Sequence, residues 1–207
     1  MVMSKLGGLP PETSEHHKVT TSKCGRTFYT TEDADMSTFS VFYIGSESLT
    51  LTNLYYSFPT SQFYAYNPVT KEGRKESVNV NKMLMKRYFK VEKAKDARIV
   101  GILVGTLGVS NYLDILNRLK VLIKKAGKKS YTFIVGKVNV AKLANFMEID
   151  VFVLIACAEN SLLDSSEFYK PVVTPYEMEL ACNTDREWTG EYPTDFHQIL
   201  EGNVGVL

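Results

Sequence analysis

The strongest constraint on the fold is the regular alternation of apolar and amphipathic segments between residues 97 and 156. The apolar runs 97–104 and 151–156 predict strands that are buried on both faces. Between them, apolar residues at helical spacing predict an amphipathic helix over 111–126, with Gly127 at its C-cap. A strand over 131–135 and a short helix over 141–146 complete the series. This order of elements predicts βαβ units around a parallel sheet.

The first half of the chain shows the same alternation more weakly. The sequence predicts no regular structure before residue 39 and interprets residues 1–23 as a linker or disordered start. The predicted fold class is therefore α/β, with small flavodoxin-like parallel sheets flanked by helices. Two units meet near residue 95. The further predictions are strands over 39–44 and 62–66, a helix over 48–58, a turn over 69–77, and a helix over 80–95 that Asn79 caps and that buries Val80, Leu84, Tyr88 and Val91.

Composition excludes several classes of function. Twenty-four basic side chains balance 23 acidic ones, so no polybasic arm predicts nucleic-acid binding. The longest strongly apolar stretch, 149–157, is far short of the ~20 residues that span a bilayer. No apolar run near the N-terminus suggests a signal peptide. We therefore expect a cytoplasmic protein that binds neither membrane nor nucleic acid. Three cysteines are too few and too scattered for a disulfide framework.

Ligands in open parallel sheets bind beyond the carboxyl ends of the strands, which directs attention to two places. Gly105-Thr-Leu-Gly108 precedes a helix, so it suits either an anion site or a tight turn that requires glycine. Cys157 directly follows the last buried strand. A cysteine there can be a small buried apolar residue, a nucleophile or a ligand for a soft metal.

Other notable residues favour structural roles. Thr174, Pro175 and Glu177 have the spacing of a helix capping box. Cys182 then lies near the far end of that helix and is predicted to pack. Trp188 and the pair Tyr192-Pro193 predict a loop that packs on the core. The residues alone therefore predict an α/β protein with one candidate functional cysteine, Cys157.

Several longer stretches give a resemblance. The chain resembles the diphthamide synthesis family from about residue 24 to residue 195. The matching stretches, in chain order, are Phe42-Tyr-Ile-Gly45, Phe63-Tyr-Ala-Tyr-Asn-Pro68, Gly101-Ile-Leu-Val-Gly-Thr-Leu-Gly108, Lys142-Leu-Ala-Asn-Phe-Met-Glu-Ile-Asp-Val-Phe-Val-Leu-Ile-Ala-Cys157, Phe168-Tyr-Lys-Pro-Val-Val-Thr-Pro-Tyr-Glu177 and Trp188 with Tyr192-Pro193.

The resemblance implies three domains built on small parallel sheets, with residues 24–95 part of the second and 96–207 the third. It implies a [4Fe-4S] cluster held by cysteines from different domains. It also implies cleavage of S-adenosylmethionine and transfer of its 3-amino-3-carboxypropyl group to a histidine of translation elongation factor 2. In eukaryotes this first step of diphthamide biosynthesis involves a heterodimer of two homologous subunits, one catalytic and one auxiliary, with a small electron-donor protein.

Within the family pattern, Cys157 matches the cluster cysteine of the third domain. Cys24 falls roughly where some members place a second-domain cluster cysteine, and Cys182 matches no cluster position. Catalytic-type members carry Cys-Pro-Arg where this chain has Cys157-Ala-Glu, which favours the auxiliary subunit. The resemblance carries over no catalytic residue.

Family members are much longer, so the resemblance predicts that this chain lacks the first domain and part of the second. We expect the chain alone neither to hold a stable cluster nor to catalyse transfer, because a cluster needs several thiolates. Two alternatives remain open: a non-catalytic α/β interaction domain, and a small-ligand-binding domain that uses Gly105–Gly108.

Overall fold

The computed structural model of the chain describes most residues from 39 onward and three short segments before them. The described residues are 3–5, 18–23, 26–31, 39–75, 77–105, 111–136, 138–157, 162, 167–184, 186, 192–193 and 196–201. The elements are β1 (Met3–Lys5), β2 (Lys18–Lys23), β3 (Arg26–Thr31), β4 (Ser40–Ile44), α1 (Leu49–Ser57), β5 (Gln62–Asn67), β6 (Glu72–Lys75), α2 (Ser77–Asp96), β7 (Ile99–Val104), α3 (Tyr112–Lys125), β8 (Lys129–Ile134), α4 (Val140–Ala144), β9 (Val151–Ile155), β10 (Val172–Val173), α5 (Pro175–Cys182) and α6 (Phe196–Glu201).

A four-stranded sheet in the order β10-β9-β7-β8 carries the candidate site. Every pairing in it is parallel, and Val104 lies beside both Ile155 and Ile134. All five residues of β9 are buried, as are the last five of β7. The continuous apolar runs therefore form strands covered on both faces, and the predicted α/β class with parallel sheets is confirmed.

Both faces of this sheet carry a hydrophobic cluster. On one face, Val100, Ile102 and Val104 pack with Val151, Val153 and Ile155 against residues of α2, α3, α5 and α6. On the other, Leu103, Phe152 and Leu154 pack with Leu143 of α4 and with Ile149. The alternation of side chains along parallel strands produces this division.

Helix α3 follows its sequence pattern closely. Ile115, Leu116, Leu119 and Ile123 are its buried residues. The helix ends as predicted: Gly127 has φ +71°, and the next residue, Lys128, donates its N–H to the carbonyl of Ile123 at 3.1 Å. Glycine adopts this left-handed conformation without the steric cost that a Cβ would add.

The three-stranded sheet β4-β5-β6 differs from prediction in one element. Strands β4 and β5 are parallel, but β6 pairs antiparallel to β5, with Gly73 opposite Tyr66. Residues 68–71 form a turn, so the prediction of a turn over 69–77 was right at its start and wrong for residues 72–75, which form a strand. All four residues of β6 are exposed, and an edge strand facing solvent tolerates the polar sequence that indicated a turn.

Helix α2 is longer than predicted. It begins at Ser77, so Asn79 lies inside the helix and does not cap it. Val91 is buried as expected, but Tyr88 is 45% exposed. The inward face also carries Arg87, which is buried and forms an ion pair with Glu177. A charged residue on an inward face gives no apolar signal, which explains the error.

Residues before 39 also correct an expectation. Strands β1, β2 and β3 form an antiparallel sheet in the order β1-β3-β2. Their threonines and serines made the segment look irregular, although threonine, valine and tyrosine favour strands. The division into domains at residues 23 and 95 stays a prediction. Among the helices that the structure describes, none combines the length and apolarity needed to cross a membrane.

Candidate functional site

The candidate site lies at the carboxyl edge of the four-stranded sheet, where backbone hydrogen bonds continue past the strands. Gly105 donates its N–H to the carbonyl of Ile155 at 2.9 Å, and Val135 donates to Val104 at 3.0 Å. The ends of β7, β8 and β9 are thus held together at one edge. Cys157 follows Ile155 by two residues, so its backbone leaves a rigid support.

Cys157 stands where the chain leaves the core. Ala156 before it is 4% exposed, whereas Cys157 is a half-buried thiol. The chain from 158 to 161 lies outside the described residues. A sulfur at this boundary remains partly accessible while its backbone is fixed. A cysteine sulfur that is accessible and held on a fixed backbone suits one ligand position of a metal centre whose other ligands come from elsewhere.

Cys182, at the end of α5, is also half-buried. It packs against the core cluster that covers the α3 and α5 side of the sheet. Burial raises the pKa of its thiol to about 11, against the opposing effect of the positive charge of Lys128. A raised pKa disfavours the thiolate that a metal would bind. The predicted packing role of Cys182 is therefore consistent with its surroundings.

The other predicted positions are only partly visible. Gly105 does not have a positive φ, and a Cβ placed there would lie 3.4 Å from a Leu154 methyl carbon, an ordinary contact. Residues 106–110 lie outside the described part, so the choice between an anion site and a tight turn stays open. Cys24 and Trp188 also fall outside it. Within the described residues, no three His, Cys, Asp or Glu side chains are grouped to hold a metal.

The capping box at the start of α5 is confirmed. The Glu177 N–H donates to the Thr174 hydroxyl at 3.3 Å, and the Thr174 N–H donates to a Glu177 carboxylate oxygen at 2.8 Å. The sequence did not reveal that the same carboxylate also binds Arg87. The Arg87 Nε donates to Oε1 at 2.5 Å and Nη2 donates to Oε2 at 2.6 Å. The partners are 90 residues apart, and no local spacing predicts such a pair.

Tyr192 closes this buried network, as expected for a loop residue packed on the core. It is 2% exposed, and its hydroxyl lies 2.9 Å from that of Thr174 and accepts from Arg87 at 3.2 Å. Its ring packs against Tyr56 of α1, with centroids 4.8 Å apart. The network therefore connects α1, α2 and α5 and joins the two sheet units.

Charge states in this network follow from burial and pairing. Burial raises the pKa of Tyr56 to about 12 and holds the pKa of Tyr192 well above its ordinary value, so both phenols stay neutral. Burial acts to lower the pKa of Arg87, but the charge of Glu177, with Tyr192 and Tyr56, outweighs it and the net pKa is raised. Arg87 and Glu177 thus remain an ion pair, supported by hydrogen bonds that offset the cost of desolvation.

A second buried carboxylate fixes the outer part of α5. Glu179 is 1% exposed. It accepts from Arg118 of α3 at 2.5 Å and also from Arg186. Helix α5 therefore carries two buried, paired carboxylates that tie it to the helices on either side. Both pairs position the layer of helices that supports β7 and β9.

The sequence is similar to known proteins over most of its length. The family model described as "Putative diphthamide synthesis protein" matches residues 4–193. The 2-(3-amino-3-carboxypropyl)histidine synthase subunit 2 of Danio rerio is 63% identical over 180 residues, covering 87% of this chain and 36% of the relative. The protein of the same name from Schizosaccharomyces pombe is 42% identical over 184 residues, with the same two coverages. The chain thus spans about a third of the length of these relatives.

A solved structure agrees with the sequence comparisons. The crystal structure of Dph2 from Pyrococcus horikoshii with a 4Fe-4S cluster matches with a TM-score of 0.62 and 26% identity. The match covers 77% of this chain and 44% of that one. The sequence comparisons and the fold comparison thus point to the same family. The chain belongs to the diphthamide synthesis family.

Proposed function

We propose that this chain serves as an auxiliary subunit of the enzyme that makes 2-(3-amino-3-carboxypropyl)histidine on translation elongation factor 2. In this reaction, the 3-amino-3-carboxypropyl group moves from S-adenosylmethionine to a histidine side chain, the first step of diphthamide biosynthesis. The observation that carries the proposal is the 63% identity, over 87% of this chain, to a protein named as subunit 2 of that synthase. The partners are a catalytic subunit and a small electron-donor protein, in the cytoplasm.

Cys157 is the proposed contribution of this chain to a [4Fe-4S] cluster. The half-buried sulfur on a rigid strand end fits one thiolate ligand. The described residues do not fit a complete ligand set, since they contain no group of three metal-binding side chains. The remaining ligands therefore come from outside the described part. When bound, the cluster supplies one-electron chemistry that the side chains of this protein lack.

The rest of the chain fixes the position of Cys157. The parallel hydrogen bonds between β7 and β9 set the backbone, and the buried pair of Arg87 and Glu177 holds α5 in place behind the sheet. In this proposal residues 24–95 belong to a second domain and residues 96–207 form the third. Cys24 takes no assigned role. Cleavage of S-adenosylmethionine requires the complex, and we expect the chain alone to be inactive.

The proposal is tested by co-expressing the chain with a catalytic diphthamide synthase subunit and purifying the pair anaerobically. Elongation factor 2 and S-adenosylmethionine labelled in the aminocarboxypropyl group are then supplied with a reductant. We expect label on the factor with the complex and none with this chain alone. The Cys157→Ser complex should form normally but transfer more slowly, whereas Cys182→Ser should leave the rate unchanged.

Three results would contradict this account. Equal transfer rates with and without this chain would exclude an auxiliary role. A complex that forms but does not depend on Cys157 would instead favour the alternative of a non-catalytic α/β interaction domain. If the purified chain alone transferred the label, the expectation that it is inactive by itself would be wrong.

A further inference from the structure

A groove runs along helix α2 beside α1, and we call it the α2 groove. Its volume is about 720 Å³. The wall from α2 includes Met85 and Phe89 together with four lysines, Lys82, Lys86, Lys90 and Lys93. Residues of α1 and of the chain before β10 form the other wall. This volume is within the usual range for ligand pockets and accommodates several apolar side chains.

Two large apolar side chains on this wall face solvent. Met85 is 69% exposed and Phe89 is 62% exposed. They are four residues apart, so they lie on the same side of the helix. The other side of α2 is packed, with Val91 and Ala94 buried there, and the buried Arg87 also lines the groove. Met85 and Phe89 together form a small exposed apolar patch beside the groove.

The charge around this apolar pair is mainly positive, since the nearby carboxylate of Glu92 is paired with Lys95. Lys82, Lys86, Phe89 and Lys93 lie along one side of α2. Lysines therefore stand before and after Phe89 along the helix. The Nζ of Lys93 lies 5.4 Å from the centroid of the Phe89 ring. No carboxylate is present among the described residues that line the groove. Glu47, in the adjoining pocket, already pairs with Arg74.

We propose that the α2 groove binds an acidic amphipathic helix of a partner protein. The apolar side chains of such a helix pack on Met85 and Phe89, while its carboxylates face the lysines. This is the helix-in-groove mode of recognition, with charge setting specificity. The proposal does not depend on the cluster or on the proposed function of Cys157.

Other occupants fit these observations less well. A second copy of this chain would place the lysines against lysines in a symmetric interface, which like-charge repulsion disfavours. Single-stranded nucleic acid would use aromatic rings for stacking. Of the two large exposed apolar side chains on the α2 wall, Met85 offers no ring and only Phe89 does.

The test uses the full chain and a synthetic amphipathic helix with leucines on one face and glutamates elsewhere, labelled for fluorescence anisotropy. We expect saturable binding that weakens as salt concentration rises. Met85→Ser/Phe89→Ser should weaken it about tenfold or more, because central apolar contacts dominate such interfaces. Lys86→Glu/Lys93→Glu should have an effect of about the same size. The matched controls Val121→Ser and Lys124→Glu/Lys125→Glu, on exposed positions of α3, should leave binding unchanged.

Four results would overturn the proposal. A scrambled peptide of the same composition that binds equally well would reduce the interaction to charge alone. Unchanged binding to Met85→Ser/Phe89→Ser would remove the groove from it. A single-stranded oligonucleotide that binds more tightly, with the same dependence on the variants, would make the groove a nucleic-acid surface. A dimer in sedimentation that dissociates in Met85→Ser/Phe89→Ser would make the occupant a second copy.

Discussion

The four-stranded parallel sheet and the mixed sheet β4-β5-β6 differ in how many of their faces are covered. The four-stranded sheet has a hydrophobic cluster on each face. The sheet β4-β5-β6 buries Phe63 and Ala65 against α1, with Val41 and Tyr43 packed beside them. On its other face, Phe42 and Ile44 are 65% and 67% exposed. Cross-strand pairing sets these two opposite Tyr64 and Tyr66.

The comparison separates a complete layer structure from an incomplete one. Parallel sheets are normally covered on both faces, but the apolar outer face of β4 and β5 is exposed. It supports the proposal that residues 24–95 form part of a larger domain. In the sheet that carries Cys157, strands β7 and β9 are covered on both faces, while the edge strand β8 exposes Tyr131 and Ile134.

The buried ion pair between α2 and α5 should give the largest effect. Glu177→Gln leaves Arg87 buried without its counter-charge, so we expect a loss of about 3–5 kcal/mol in the free energy of unfolding. Urea denaturation measures this. Glu92→Gln, which removes an exposed ion pair with Lys95, should change stability little. If both variants lost the same small amount of stability, the ion pair would not hold α2 against α5.

A smaller loss of stability is expected when a methyl group is added to a buried face of β7. A Cβ at Gly101 would lie 2.6 Å from a ring carbon of Phe152, which is 1% exposed. Gly101→Ala should therefore destabilise the protein by about 1–3 kcal/mol, as overpacking of a core does. Thermal denaturation measures the shift. Gly105→Ala, where the new Cβ makes only ordinary contacts, should be neutral. Equal melting temperatures for the two variants would show that this face is not tightly packed.

The open face of β4 should be far less sensitive. Phe42→Ser/Ile44→Thr should change the free energy of unfolding by about 0.5 kcal/mol or less, since both side chains are exposed. It should also raise solubility by removing an apolar patch. Phe63→Ala on the covered face should cost about 3–5 kcal/mol. A large loss from Phe42→Ser/Ile44→Thr would mean that this face is already covered, and the contrast between the sheets would disappear.

The smallest effect concerns acid stability at the start of β7. Asp150 accepts the N–H groups of Ile99 and Arg98 at 3.0 and 2.9 Å, and these hydrogen bonds lower its pKa. A lowered pKa in the folded state stabilises the protein above the ordinary carboxyl pKa. That contribution is lost as the pH falls through the folded value. Asp150→Asn should therefore flatten the acid side of the plot of stability against pH. Asp114→Asn, on α3, is the matched control. Identical profiles for the wild type and Asp150→Asn would contradict this role.

The sequence predicted the covered sheet better than the open one, and the reason is physical. Strands β7 and β9 are apolar throughout because both of their faces are buried, and α3 has one strong apolar stripe. Local pattern and tertiary environment agree there. Strand β6 is an exposed edge, so its residues Glu72 and Lys75 carry no strand signal.

The candidate site shows the same limit. The position of Cys157 at a strand end follows from the chain order alone, as does the capping box of Thr174 and Glu177. The pairing of Arg87 with Glu177 depends on how α2 crosses α5, which no local spacing encodes. Cys24 and residues 106–110 lie outside the described part, so their predicted roles stay predictions.

The central claim is that Cys157, and not Cys182, gives a ligand to a cluster completed by other thiolates. Iron content of the anaerobically purified complex with the catalytic subunit tests this most directly, using Cys157→Ser and Cys182→Ser. The account predicts that both variants co-purify with the partner and that only Cys157→Ser loses one cluster's complement of iron and the matching visible absorbance. Unchanged iron in Cys157→Ser, or an equal loss in both variants, would contradict it.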